Sequence, residues 1–145
     1  MWNQDVVNNP IPWSTGTWTP TIGGAGGQSG QVYSAQLGTY VKIGELVFVS
    51  YQLGLSTLGT ITGDVQLKGL PFAASAALLQ YTGAHYFADL TTSVASVSGH
   101  TNLGSTVVNL QYAPAAGATD VSNFVQGDLA NTTGFIGGFC YRATA

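Results

Sequence analysis

The sequence predicts an all-β fold, a jelly-roll-like antiparallel β-sandwich of roughly eight to ten strands. Three observations carry this. Only 6% of the 145 residues are charged, against roughly 25% in ordinary soluble domains. Gly, Thr, Ser, Asn and Gln replace the missing charge, a mix that suits strands and tight turns and not surface helices. Short runs of β-branched or alternating residues recur about every 8–12 residues, each bounded by Gly, Asn, Asp or Pro. Helical signals are weak. Ala73-Ala74-Ser75-Ala76-Ala77-Leu78-Leu79 has helical propensity, but it follows Leu70-Pro71-Phe72 and is too short to persist, so it reads as a loop with at most a single turn.

Residues 1–14 read as an N-terminal arm and residues 15–145 as the sandwich. Asn3, Asn8, Asn9, Pro10 and Pro12 oppose regular structure, while Trp2, Val6, Val7, Ile11 and Trp13 are apolar. A polar linker would not carry two tryptophans; an arm docking on another surface would. Those five residues are the candidate anchoring set. Thr17–Ile22 has strand residues, and Pro20 confines it to an edge or a strand end. The glycine-rich run 23–30 reads as an exposed loop, or as a turn where backbone approaches backbone. Gln31–Gln36 and Gly38–Ile43 follow as strands. Glu45–Leu53 is the strongest of all, rich in β-branched and aromatic residues. Leu46–Val49 is apolar on both faces, so both faces should be covered. Asp64–Lys68 alternates, with Val65 and Leu67 inward. His85–Val97, Thr106–Tyr112 and Ser122–Val125 are further strands. Gly134–Arg142 closes the series with Phe135, Phe139 and Tyr141 on the same set of alternate positions.

The same composition excludes several functions. The cations are Lys42, Lys68 and Arg142, and the net charge is −3. Three scattered cations cannot neutralise a nucleic-acid backbone or dock on an anionic membrane. No apolar run approaches the roughly 20 residues of a membrane span. The opening MWNQDVVNNPIPW has neither a basic start nor a long apolar segment, so it does not read as a secretory signal. Cys140 is the single cysteine, which excludes an internal disulfide and a cysteine-based zinc site; it reads as a small buried apolar residue.

Order and spacing carry a resemblance. Gly16-Thr17-Trp18-Thr19-Pro20-Thr21 precedes Tyr33, then Gly38-Thr39-Tyr40-Val41-Lys42-Ile43-Gly44-Glu45-Leu46-Val47, then Gly59-Thr60-Ile61-Thr62-Gly63-Asp64-Val65 and Gly69-Leu70-Pro71-Phe72. This series resembles the trimeric β-sandwich knob domains at the ends of bacteriophage tail fibres, tailspikes and head spikes. The likeness covers residues 16–72, and the Gly- and aromatic-rich Gly134–Tyr141 fits it. The resemblance implies a homotrimeric virion surface protein without chemistry of its own. Such proteins usually carry a shaft or anchoring domain before the knob. Here the knob is expected to begin by residue 16, which leaves a short arm to wedge into a major capsid or baseplate protein. The paucity of charge independently argues for burial of bare faces between subunits, although it does not fix the number three.

Catalytic and ligand-binding patterns are weak. Glu45 is the single glutamate and begins a strong strand. Glycosidases need two carboxylates at set separations, and Asp64, Asp89, Asp120 and Asp128 lie in turn-like surroundings where Asp bonds local backbone. His85 and Asp89, four apart in a strand, share a face; His100 lies in a loop. No spacing is diagnostic of a metal, and Asp120–Asp128 lacks the alternating ligands of a calcium loop. The glycine run fits neither phosphate-loop pattern, and Gly27-Gln28-Ser29-Gly30 is not a nucleophile elbow. Asn131-Thr132-Thr133 marks an exposed turn. Tyr81, Tyr86, Phe87 and Tyr112 either form an adaptable sugar-binding surface or fill core and trimer axis. No catalytic residue, metal or cofactor is expected. The reading is a capsid spike or decoration knob held by its arm on the virion surface; the alternative is the receptor-binding tip of a tail fibre or tailspike that engages host surface glycan.

Overall fold

The structure, a computed structural model, describes residues 11–144. The chain is all-β, as its composition predicts. Twelve strands succeed one another: β1 (Trp13–Trp18), β2 (Thr21–Gly24), β3 (Gly27–Ser29), β4 (Val32–Ile43), β5 (Leu46–Thr57), β6 (Thr60–Thr62), β7 (Val65–Lys68), β8 (Tyr81–Leu90), β9 (Ser96–Thr101), β10 (Val107–Ala113), β11 (Ser122–Asn123) and β12 (Leu129–Arg142). One 3-10 turn, Gln126–Asp128, precedes β12. No longer helix occurs among the described residues, and 73–79 is loop with a single bridge at Ala74.

Ten strands form one antiparallel sheet in the order β1-β4-β5-β12-β8-β9-β10-β7-β2, with β11 on β10; β3 and β6 form a separate ribbon. The sheet curls into two layers through β8, whose Tyr86–Ala88 half pairs with β12 and whose Tyr81–His85 half pairs with β9. The free edges, β1 and β2, are consecutive in the chain and joined by Thr19 and Pro20. Pro20, which has no N–H to donate, sits at that crossing and not inside a ladder. Ile22, Val47, Leu53, Val65, Leu67, Val97, Val108, Leu110, Phe124, Phe135 and Tyr141 come from both layers into one buried cluster. Each such side chain contributes about 1.5–3 kcal/mol on leaving water.

Several boundaries differ from the sequence reading, each for a local reason. The glycine run is not a loop: Gly23 and Gly24 are buried in β2, and Gly27–Ser29 pairs with β6. Gln31–Gln36 and Gly38–Ile43 are one strand, β4, whose register shifts at Tyr33 and Ala35 look like breaks in sequence. His85–Val97 divides into β8 and β9, which places His100 in a strand. Gln66 is buried along with Val65 and Leu67, because β10 and β2 flank β7 and the Gln66 amide donates to Asn109 Oδ1 at 2.8 Å. Gly44, with φ 58, turns β4 into β5, a left-handed position where glycine carries no Cβ penalty.

Candidate functional site

Residues opposed in adjacent strands share a face, so the registers define the outer surface of β1-β4-β5-β12 row by row. Trp13, Ile43, Leu46 and Arg142 align; so do Thr15, Val41, Phe48 and Cys140; then Thr17, Thr39, Ser50 and Gly138; then Leu37, Gln52 and Ile136, with Tyr86 beyond. The alternate residues Val47, Val49, Tyr51 and Leu53 face the core. Leu46–Val49 is therefore apolar on both faces, but only the inner one is covered. Leu37, Val41, Ile43, Leu46, Phe48 and Ile136 are all exposed, and Trp13 is 72% exposed. Cys140, expected to be buried, lies on this outer face. Even β-rows placed its side chain beside Phe48, not beneath it.

The face is not flat. A hollow of about 370 Å³ opens between Leu37, Thr39, Ser50, Gln52 and Ile136, with Gly138 as its floor. Beneath it, Gly137 lets two buried rings meet. A Cβ at Gly137 would stand 2.5 Å from His85 Nδ1 and 2.8 Å from Tyr51 Cε1. The Tyr51 hydroxyl is hydrogen-bonded to His85 Nδ1 at 2.8 Å, and Thr82 Oγ1 to Nε2 at 2.9 Å. Burial lowers the His85 pKa to about 4 and raises that of Tyr51.

Of the anchoring set, Trp2, Val6 and Val7 lie outside the described residues. Ile11 is 68% exposed. Trp13, assigned to the arm, opens β1, and the preceding Pro12 carbonyl accepts from Gly44 N at 2.9 Å, so regular pairing begins two residues before the expected boundary at 15.

The ionisable residues are dispersed. Glu45 pairs with Arg142 at 2.6 Å on the surface. Asp64 accepts from Asn123 at 2.8 Å, and Asp120 from Val121 N at 2.8 Å. Asp128 is buried: it accepts from Val125 N at 2.9 Å and from the Thr92 hydroxyl, closing the 3-10 turn. His85 points inward while Asp89 is exposed at φ 55, so the two do not share a site. The reason is a register shift in β12 between Leu129 and Gly134, where Thr133 Oγ1 donates to the Asp89 carbonyl at 2.7 Å. Asn131 belongs to that irregularity and accepts from Leu58 N at 2.9 Å. Among the described residues, no three His, Cys, Asp or Glu side chains gather. A Glu45→Gln variant should change stability by less than about 1 kcal/mol, as exposed ion pairs do; a urea titration beside the parent chain measures it. Phe87 and Tyr112 pack on the core, Tyr112 against Phe124 at 4.6 Å between centroids. Tyr81 and Tyr86 stay exposed.

With this geometry in hand, comparison with solved structures finds the same fold in a tailspike. The crystal structure of the Dettilon tailspike protein (gp208) superposes with a TM-score of 0.69 over 91% of this chain, at 16% sequence identity. The chain spans 24% of that protein's length. No family model matches the sequence, and no curated protein does. At that identity the likeness is one of fold.

The bare outer face was half visible in the sequence. The doubly apolar Leu46–Val49 asks for cover on both sides, and the chain itself supplies cover on one. What sequence could not show was the hollow, because it needs Leu37, Gly138 and Ile136 brought side by side by two strand pairings.

Proposed function

We propose that this chain is a non-enzymatic structural module of a phage virion, tail-associated, and built from three identical copies. The observation that carries the proposal is the fold shared with a tailspike over nearly the whole chain. The bare, uncharged outer face supports self-assembly, since interface cores are depleted of charge. The local engagement of Glu45, Asp64, Asp120 and Asp128 supports a role in display and binding, without chemistry. A place on the tail is favoured over the capsid spike or decoration role, because the matched fold belongs to a tail protein. Residues 1–14 would hold the module to its neighbour in the particle, a baseplate protein if the site is the tail and the major capsid protein if it is the head.

Gold-labelled antibody against the chain should decorate the tails of intact particles in electron micrographs. Label confined to the head would refute the tail assignment and restore the capsid one. A second reading, receptor binding to host surface glycan, draws on the exposed Tyr81 and Tyr86, rigid amphipathic rings of the kind that stack on sugars. A glycan array probed with the assembled protein separates the two: saturable binding lost on Tyr86→Ala supports the receptor role, and silence across the array removes it.

A further inference from the structure

We propose that the hollow over Gly138 is the seat of a second copy of this chain, filled head-to-tail by the apolar end of that copy's outer face. The inference rests on the self-assembly part of the reading above and adds the surface and its arrangement. Gly138 is the key observation. It lies within β12, opposite Ser50, and its φ is not left-handed. A Cβ there would meet only Val49 O at 3.4 Å and Ser50 Oγ at 3.5 Å, both ordinary contacts. Its neighbour Gly137 is required by the rings beneath; Gly138 is required by nothing in its own chain. In a regularly paired stretch with no bulge, such a glycine leaves room for a close approach from outside.

The chemistry of the face selects the visitor. Its rows carry Leu37, Val41, Ile43, Leu46, Phe48 and Ile136, and its formal charge is confined to Arg142, paired with Glu45 at one end. An anionic or cationic partner would find nothing to pair with, whereas an identical face would. Nine residues each of β4, β5 and β12 and six of β1, at about 3.4 Å per residue and 4.8 Å per strand, give roughly 500 Å² for the whole face before side-chain relief is added, and a copy within a ring buries one end of it against each neighbour. The face is also divided. Ile43, Leu46 and Phe48 make a mainly apolar end, with the Arg142–Glu45 pair at its rim, and the glycine-floored hollow lies at the other. Joining one to the other is a heterologous contact, which closes into a ring when the rotation permits.

Sedimentation velocity on the full chain tests this. The parent should run as a multiple of 14.9 kDa. Gly138→Leu, whose added Cβ meets nothing closer than 3.4 Å, should run as a single chain with an unchanged far-ultraviolet spectrum and a single cooperative melt. Phe48→Lys, at the apolar end, should do the same. Mixed in equal amounts, the two variants should form two-chain species, since one intact hollow and one intact apolar end remain. A parent that sediments as one chain would overturn the self-assembly reading itself. An assembled parent with an equally assembled Gly138→Leu would overturn this inference alone. Failure of the two monomeric variants to pair would overturn the head-to-tail arrangement.

Discussion

A Gly24→Ala variant should lose more than about 3 kcal/mol of stability, read as a large fall in the urea midpoint, because the added methyl collides with backbone and not with a side chain that could turn away. Gly24 ends β2, opposite Val65. A Cβ there would lie 2.1 Å from the Thr62 carbonyl oxygen, 2.9 Å from that of Gly27 and 2.9 Å from Ile61 Cγ2. The Thr62 carbonyl cannot retreat freely, since it accepts from Gly26 N at 2.8 Å and the adjacent Ala25 N donates to Asp64 O at 2.9 Å. Relief therefore means breaking the crossing between the main sheet and the β3–β6 ribbon. The φ of Gly24 is ordinary, so the cost is steric. Gly127→Ala is the control: nothing lies within 4 Å of its Cβ position, and a change within about 0.5 kcal/mol is expected there. Equal midpoints for the two variants would show that β2 and the ribbon do not meet as described.

That collision explains why the glycine run was the least legible part of the sequence. Glycine permits both a loop and a close backbone approach, and sequence alone does not decide between them. The decision comes from Thr62, nearly forty residues away. The long strands were legible because their signals are local: β-branched and aromatic residues crowded into Glu45–Leu53, and aromatics at 135, 139 and 141, which face the core. The irregularities were not. β4 is continuous across Tyr33 and Ala35, and β12 shifts register before Gly134, through pairings whose partners lie far away in the chain. The candidate site shows the same division. Apolar pressure on both sides of Leu46–Val49 was readable, and the surface it left bare needed a sheet to assemble it. Asp89 and His85 looked like a pair by spacing, and the register shift separated them.

Acidification should weaken this fold through His85, by about 3 kcal/mol between pH 6.5 and pH 4. The ring is 4% exposed and is enclosed by Tyr51 from β5, Thr82 from its own strand, and Gly137 and Phe139 from β12. The Tyr51 phenol is the titratable group against it, and burial is what lowers the His85 pKa to about 4. The neutral ring suits its partners: one nitrogen accepts, the other donates, and each meets a hydroxyl able to play the complementary part. An imidazolium would donate from both, and both hydroxyls would have to accept. The folded state therefore refuses a proton that the unfolded chain takes up at about 6.5. Stability from this group is complete above pH 6.5, declines as pH falls below it, and is wholly lost once pH passes about 4, where folded chains protonate too. Urea midpoints of the parent and of His85→Gln, whose amide offers one acceptor and one donor to the same hydroxyls, isolate the effect from the carboxylates that titrate in the same range. The parent's advantage over the variant should shrink steadily from pH 7 to pH 4. An advantage that holds constant over that interval would mean that the ring protonates as easily folded as unfolded, and that the joint between β5 and β8 is open to water.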